Sequence, residues 1–233
     1  MKQRLIFMWS LKRSGSHAME TWTRGLRPDL CYLNNMSLKR PVDNKRKNQV
    51  PLDHEVFMIS FEDQPICAGP VAQDVDAIIA RAGLTGQYKR LINLIAIRDP
   101  FNLFASRIKG RWSLDHAREY IPVWKTYAKE CLGITNHLPN VLMWNYNKWF
   151  TDIEYRKKLA SDLDLEFNDD GKEILGHWGS SFDKKKYKKN AGEMKVLERW
   201  KVYENDPEYR ALFDEEVVEL SKELFDFVPM QLP

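Results

Sequence analysis

The sequence predicts an α/β fold: a parallel sheet with helices packed on both faces, three layers in all. Four short apolar runs, at 5–9, 56–61, 91–97 and 141–144, are separated by segments with helical spacing of apolar residues. None of the four alternates apolar with polar residues, as expected for strands covered on both faces by crossover helices. Strand and helix then alternate along the chain, the order that gives a doubly wound sheet. At 233 residues the chain accommodates one such domain, spanning 1–233, with a sizeable core, whereas two full domains would be cramped.

The elements follow in order. The run Leu5-Ile6-Phe7-Met8-Trp9 reads as a buried strand, and the segment from Ala18 to Leu26 reads as a helix. Residues 71–82 place Val75, Ile78 and Ile79 at helical spacing and end near Gly83, a C-cap type. Pro100 turns the chain out of the third run, and Phe104 and Ile108 continue as a helix. Ser113 can cap a helix reaching about Leu132. Thr151 and Glu154 form a capping-box pattern for a helix ending near Leu163. Asp206-Pro207 reads as N-cap and first helical residue of one helix bearing Phe213, Val217, Leu220 and Leu224. Residues 40–53 and 176–193 read as irregular, and no internal repeat is present.

The formal net charge of +3 is too mild to point to nucleic acid, although 184–189 is locally basic. Three scattered cysteines, Cys31, Cys67 and Cys131, give neither a disulfide framework nor metal-ligand spacing. The basic start is followed by an apolar run of only five residues, too short for a signal peptide, and no stretch is long enough to span a bilayer. The expectation is a cytoplasmic protein.

Chemistry concentrates in residues 11–17, Leu-Lys-Arg-Ser-Gly-Ser-His, between the first strand and the first helix. Such a loop aims free backbone N–H groups and the positive end of the helix dipole at one spot, which suits phosphate oxygens. Gly15 permits close backbone approach, Ser14 and Ser16 add hydroxyls, and Lys12 and Arg13 add charge. The Gly-x-x-x-x-Gly-Lys-[Ser/Thr] pattern of ATP-binding loops is missing. A second anion anchor is Arg98, at the end of the third run in Arg98-Asp99-Pro100, with Ser106 two helical turns on. In a doubly wound sheet, ligands lie beyond the carboxyl ends of the strands. The loop 11–17, Glu62 and Arg98 all follow strands and should meet in one crevice.

Arg13-Ser14-Gly15-Ser16-His17 and Arg98-Asp99-Pro100 with Ser106 together resemble the two donor-binding motifs of the sulfotransferase family. These enzymes transfer a sulfuryl group from 3′-phosphoadenosine 5′-phosphosulfate (PAPS) and release adenosine 3′,5′-bisphosphate (PAP). The resemblance implies a P-loop-like fold, with the first motif on the 5′-phosphosulfate and Arg98 and Ser106 on the 3′-phosphate. Trp144-Asn145-Tyr146-Asn147 resembles a third family segment, which implies Tyr146 near adenine; the asparagines replace the usual acidic pattern. Gly179-Ser180-Ser181-Phe182-Asp183 is similar to a late segment of some bacterial members, and Ser180, Ser181 and Lys184 can reach the 3′-phosphate or form a solvated basic loop. His17 stands where Ser or Thr is usual, and either bonds the phosphosulfate or caps the helix.

The resemblance gives Arg13 the role of stabilising the bridging oxygen, while Lys12 assists or points to solvent. Glu62, in Ser60-Phe61-Glu62-Asp63, is the candidate general base, against the reading of a solvated carboxylate or a partner of Lys12 or Arg13. Carbohydrate-directed members carry a similar Phe-Glu-Lys, so Asp63 in place of lysine departs from the pattern. His54 precedes its strand and falls at the wrong end of the sheet. Arg107, Lys109 and Arg111 read as a solvated helix face. The scheme requires no metal. The acceptor, a hydroxyl or amine and possibly on a carbohydrate, is not readable. The competing functions are a kinase on a related fold and a non-catalytic binder of RNA or another polyanion.

Overall fold

The computed structural model describes residues 3–36, 54–66, 88–110, 112–174, 182–183 and 190–229. Strands β1 (Gln3–Ser10), β2 (Cys31–Leu33), β3 (Val56–Glu62), β4 (Tyr88–Ile97) and β5 (Val141–Asn145) form one sheet in the order β2-β3-β1-β4-β5. Every neighbouring pair is parallel. The chain is α/β, as its apolar runs predict. The short edge strand β2 is an addition to the four expected strands; three residues give periodicity nothing to reveal.

The helices among the described residues are α1 (Ser16–Leu26), α2 (Pro100–Lys109), α3 (Leu114–Cys131), α4 (Tyr146–Thr151), α5 (Ile153–Asp162), α6 (Pro207–Arg210) and α7 (Glu215–Phe225). Side chains of β1 alternate between two apolar layers, because successive residues of a strand face opposite sides. Leu5, Phe7 and Trp9 pack with Phe101 of α2, Trp124 of α3 and Val217 of α7. Ile6 and Met8 pack with Trp22 of α1, Trp149 of α4 and Leu159 of α5. From Leu5 to Ser10 neither face of β1 reaches solvent, which is why this strand reads as an uninterrupted apolar run.

Capping explains most helix starts. Ser113 accepts from the His116 N–H and caps α3 as expected. Two boundaries differ from the sequence reading. Asp152, not Thr151, caps α5, accepting from the Glu154 and Tyr155 N–H groups; Thr151 instead ends α4. Asp206 and Pro207 do open a helix, but only the four-residue α6. Asp214 then accepts from the Val217 N–H and starts α7, which carries Val217, Leu220 and Leu224 as its buried stripe. A second Asp cap competes successfully with continuation of the first helix. The expected helix at 71–82, with Gly83, lies outside the described residues.

The register positions the site. Ser10, the last residue of β1, lies opposite Glu62 on one side and Ala96 on the other. Ile97 of β4 lies opposite Asn145 of β5. The loop after Ser10, Glu62, Arg98 and Tyr146 therefore emerge along one edge of the sheet.

Candidate functional site

The loop after β1 is a tight turn closed by a hydrogen bond from the Ser14 N–H to the Leu11 carbonyl, 3.0 Å. Arg13 (φ 77°) and Gly15 (φ 98°) both take left-handed conformations. Gly15 is the N-cap residue of α1 and supplies no side chain, so the first-turn N–H groups remain open to a ligand. A Cβ on Gly15 would lie 2.2 Å from Cε2 of Tyr146, so the position excludes any side chain. Ser14 and Ser16 are buried in the turn.

One cavity is lined by Lys12, Arg13, Gly15, Ser16, His17, Glu62, Arg98, Ser106 and Tyr146, so the two anion anchors expected from the sequence meet in a single space. Ser14 is buried beneath the same turn. Ser180, Ser181 and Lys184 lie outside the described residues.

Arg98 is fully buried and donates from Nη1 to the Arg13 carbonyl, 3.2 Å, and from Nη2 to the Val196 carbonyl. Its guanidinium stands 5.1 Å from the centre of the Tyr146 ring. Burial, together with the cation of Arg199, pushes its pKa down to about 10. The buried Nε atoms of Arg98 and Arg13 have no hydrogen-bond partner among the described residues. Buried donors normally have acceptors, and both arginines line the cavity, so the pair fits an anionic occupant.

Ser106, also buried, accepts from Nη1 of Arg199 at 3.0 Å. Arg199 is a cation that the sequence reading missed. It sits in a 3-10 turn, Arg199–Tyr203, and its Nη2 lies 2.7 Å from Asp183. Asn102 places it: the Asn102 side-chain oxygen accepts from the Arg199 N–H, 2.7 Å, while its amide nitrogen donates to Asp99 at 3.0 Å. Asp99 itself caps α2 by accepting from the Asn102 N–H. No local pattern marks Arg199, because its place is set by a residue 97 positions away. Lys172 was missed in the same way; its nearly buried ammonium lies over the Phe150 ring at 4.6 Å and lines the cavity.

Tyr146 begins α4 under an Asn145 cap, which accepts from the Lys148 N–H at 3.1 Å. Its ring packs on Trp149 and Phe150. With Met194 and Val196, these rings give the cavity an apolar part to its lining.

Glu62 accepts from the Ser16 hydroxyl at 2.7 Å. The lysine paired with a carboxylate in the loop is Lys12, 3.7 Å from Asp63 rather than Glu62. His17 lies in the first turn of α1 and does not cap it, since Gly15 holds the N-cap position. Its Nδ1 is 3.8 Å from Glu20. Interaction with Glu20, with a further contribution from Glu62, holds the imidazole pKa above its usual value, against burial and Arg13. A raised histidine pKa places proton loss, and the loss of any anion attraction, above the ordinary range as pH rises. Affinity for a phosphate-bearing ligand is therefore expected to fall as pH rises through the His17 pKa. His17→Gln should flatten that part of the profile in calorimetric titrations; an unchanged profile would exclude His17 as its source.

The expectation of a solvated basic face after Ser106 fails at Arg107, whose side chain is 0% exposed. It is turned inward by Asp63 and by stacking against Trp112 and Tyr120, at 4.3 Å and 4.6 Å from the ring centres. Outside the cavity, His54 contacts the Asp29 carbonyl just before β3 begins, at the end of the sheet away from the site. Among the described residues no group of three or more His, Cys, Asp or Glu is placed to hold a metal ion, and no helix is long and apolar enough to cross a membrane.

Solved structures share this fold over nearly the whole chain. The sulfotransferase domain of the Synechococcus PCC 7002 olefin synthase aligns with a TM-score of 0.63 at 11% identity, covering 98% of both chains. The chain has the sulfotransferase fold. The sulfotransferase domain of the curacin biosynthetic pathway gives a TM-score of 0.55 at 13% identity, covering 99% of each chain. Mouse sulfotransferase SULT7A1, solved with PAP, gives 0.53 at 13% identity, covering 98% of this chain and 87% of that one. No family model matches the sequence, and no curated protein matches it. The fold is shared with almost no sequence in common.

Proposed function

We propose that this protein is a sulfotransferase that moves a sulfuryl group from PAPS to an acceptor hydroxyl or amine. The carrying observation is that Arg13 and Arg98, from the turn after β1 and the tip of β4, line one cavity and each keep a buried unpartnered Nε inside the protein. A nucleotide bearing anionic groups at both its 3′ and 5′ ends fits that pair, and the apolar wall of Tyr146, Trp149 and Phe150 suits a base. A fold neighbour, mouse SULT7A1, is bound to PAP.

The donor supplies an electrophilic sulfuryl group and a phosphate leaving oxygen. The N–H groups at the start of α1 hold the 5′ side, while Arg98, Ser106 and Arg199 hold the 3′-phosphate. Arg13 neutralises the charge that builds on the leaving oxygen as the S–O bond breaks, a task of fixed cations in a water-poor site. Lys12 assists from the cavity rim. Glu62 accepts the proton that the acceptor oxygen or nitrogen loses as its bond to sulfur forms; the Ser16 hydroxyl already orients one carboxylate oxygen and leaves the other available.

The testing experiment pairs thermal shift with transfer of labelled sulfate from PAPS into an extract of the source cells. Stabilisation by PAP and label in a product support the reading; stabilisation by ATP–Mg²⁺ alone favours a kinase and overturns it. Steeply salt-dependent RNA binding that tolerates loss of Arg13 and Arg98 also overturns it. With the acceptor in hand, Glu62→Gln should slow turnover by at least about 100-fold while PAP affinity persists. Turnover near the wild-type rate would remove Glu62 from the base role.

A further inference from the structure

We propose that the buried Asp63–Arg107 pair is the positioning device that sets the loop 11–15 for anion capture; its functional meaning rests on the nucleotide reading above. The pair holds both backbone groups of Lys12. The Lys12 N–H donates to Oδ1 of Asp63 at 2.9 Å, and the Lys12 carbonyl accepts from Nε of Arg107 at 3.0 Å. Arg107 Nη2 closes the triangle on the same Asp63 oxygen. The Asp63 N–H donates to the Ser10 carbonyl at 2.9 Å, tying the end of β3 to the end of β1. Asp63 reaches this position through a left-handed backbone, φ 57°.

The next residue explains why such anchoring is needed. Arg13 adopts φ 77°, a conformation that costs a residue with a side chain about 1–2 kcal/mol. It persists because its neighbours over-determine it. Arg107 fixes the Lys12 carbonyl and Arg98 fixes the Arg13 carbonyl. Two successive carbonyl oxygens are thereby held on guanidinium groups instead of facing an incoming anion, which they would repel. The aromatic box of Trp112, Tyr120 and Phe104 around Arg107 supplies the packing that keeps the cation in place.

This gives the unexpected Asp63 a task. A carboxylate beside the phosphate loop works against anion binding unless its charge is consumed elsewhere, and here it is consumed by a buried arginine and by Lys12, 3.7 Å away. Arg107 and Asp63 act through the loop and touch the cavity only by way of Lys12.

The test uses Arg107→Lys and Asp63→Asn in the full chain, with hydrogen exchange of the 12–16 amides as a readout that needs no ligand. Both variants should speed exchange there by about tenfold at temperatures where near-ultraviolet dichroism shows intact packing, and weaken PAP binding by about tenfold. Trp112→Leu removes one wall of the box, leaves both hydrogen bonds, and should give a smaller increase; it serves if Arg107→Lys does not fold. Lowered melting temperatures with wild-type loop exchange and wild-type PAP affinity would reduce the pair to a stability element and overturn the proposal. If the wild-type protein binds no PAP but loop exchange responds as expected, the nucleotide reading fails and the positioning role stands.

Discussion

Gly15→Ala is expected to weaken PAP binding by about 100-fold and to lower the melting temperature. Two costs arise together. Alanine at φ 98° enters a region unfavourable to any residue with a Cβ, at about 1–2 kcal/mol. The added carbon also arrives 2.2 Å from Tyr146 Cε2 and 2.5 Å from Cδ2, so the ring must leave its place. That ring is held between Arg98, 5.1 Å from its centre, and Trp149, 5.6 Å centre to centre. Moving it disturbs the 3′-phosphate anchor and the apolar wall at once. Pairing Gly15→Ala with Tyr146→Leu should recover part of the affinity by relieving the overlap while the backbone cost remains. Calorimetry with PAP measures both; wild-type affinity in the single variant would show that close approach at Gly15 plays no part in binding.

Arg98→Met is expected to reduce discrimination between PAP and adenosine 5′-phosphate by about 100-fold. The buried guanidinium has fixed two of its donors on the Arg13 and Val196 carbonyls and keeps Nε unpartnered among the described residues. A hydrogen bond to a charged group contributes about 1.5–3 kcal/mol, so losing the cation and its bond should cost PAP about 100-fold. Adenosine 5′-phosphate, lacking the 3′-phosphate, should lose far less. Folding stability should also fall, because the Arg13 and Val196 carbonyls lose their donor. Equal losses for the two nucleotides would mean that Arg98 shapes the loop without reading the 3′ end.

Sequence legibility followed the locality of the forces. The turn after β1 was readable because it depends on neighbours: a strand end, Gly15 at a left-handed position and a helix start are all written within six residues. The corner at Arg98 was readable for the same reason, since Pro100 and the Asp99 cap fix the strand-to-helix junction. Helix caps were read where one candidate stood alone, as at Ser113, and misread where two adjacent polar residues competed, as at Thr151 and Asp152. The basic residues after Ser106 look alike in sequence, and nothing local separates Arg107, which is buried, from Lys109, which is exposed.

The sequence by itself determined the layered α/β architecture, the tight turn after β1 and the strand-to-helix corner at Arg98, because apolar periodicity, glycine conformation and capping are short-range properties. Only the tertiary structure decided that Arg199 meets Ser106, that Lys172 enters the cavity beside Phe150, and that Asp63 and Arg107 grip the backbone of Lys12. Each of those contacts joins residues far apart in the chain or on different elements. Their partners are chosen by sheet order and strand register, which bring distant charges to one edge where burial forces them to pair.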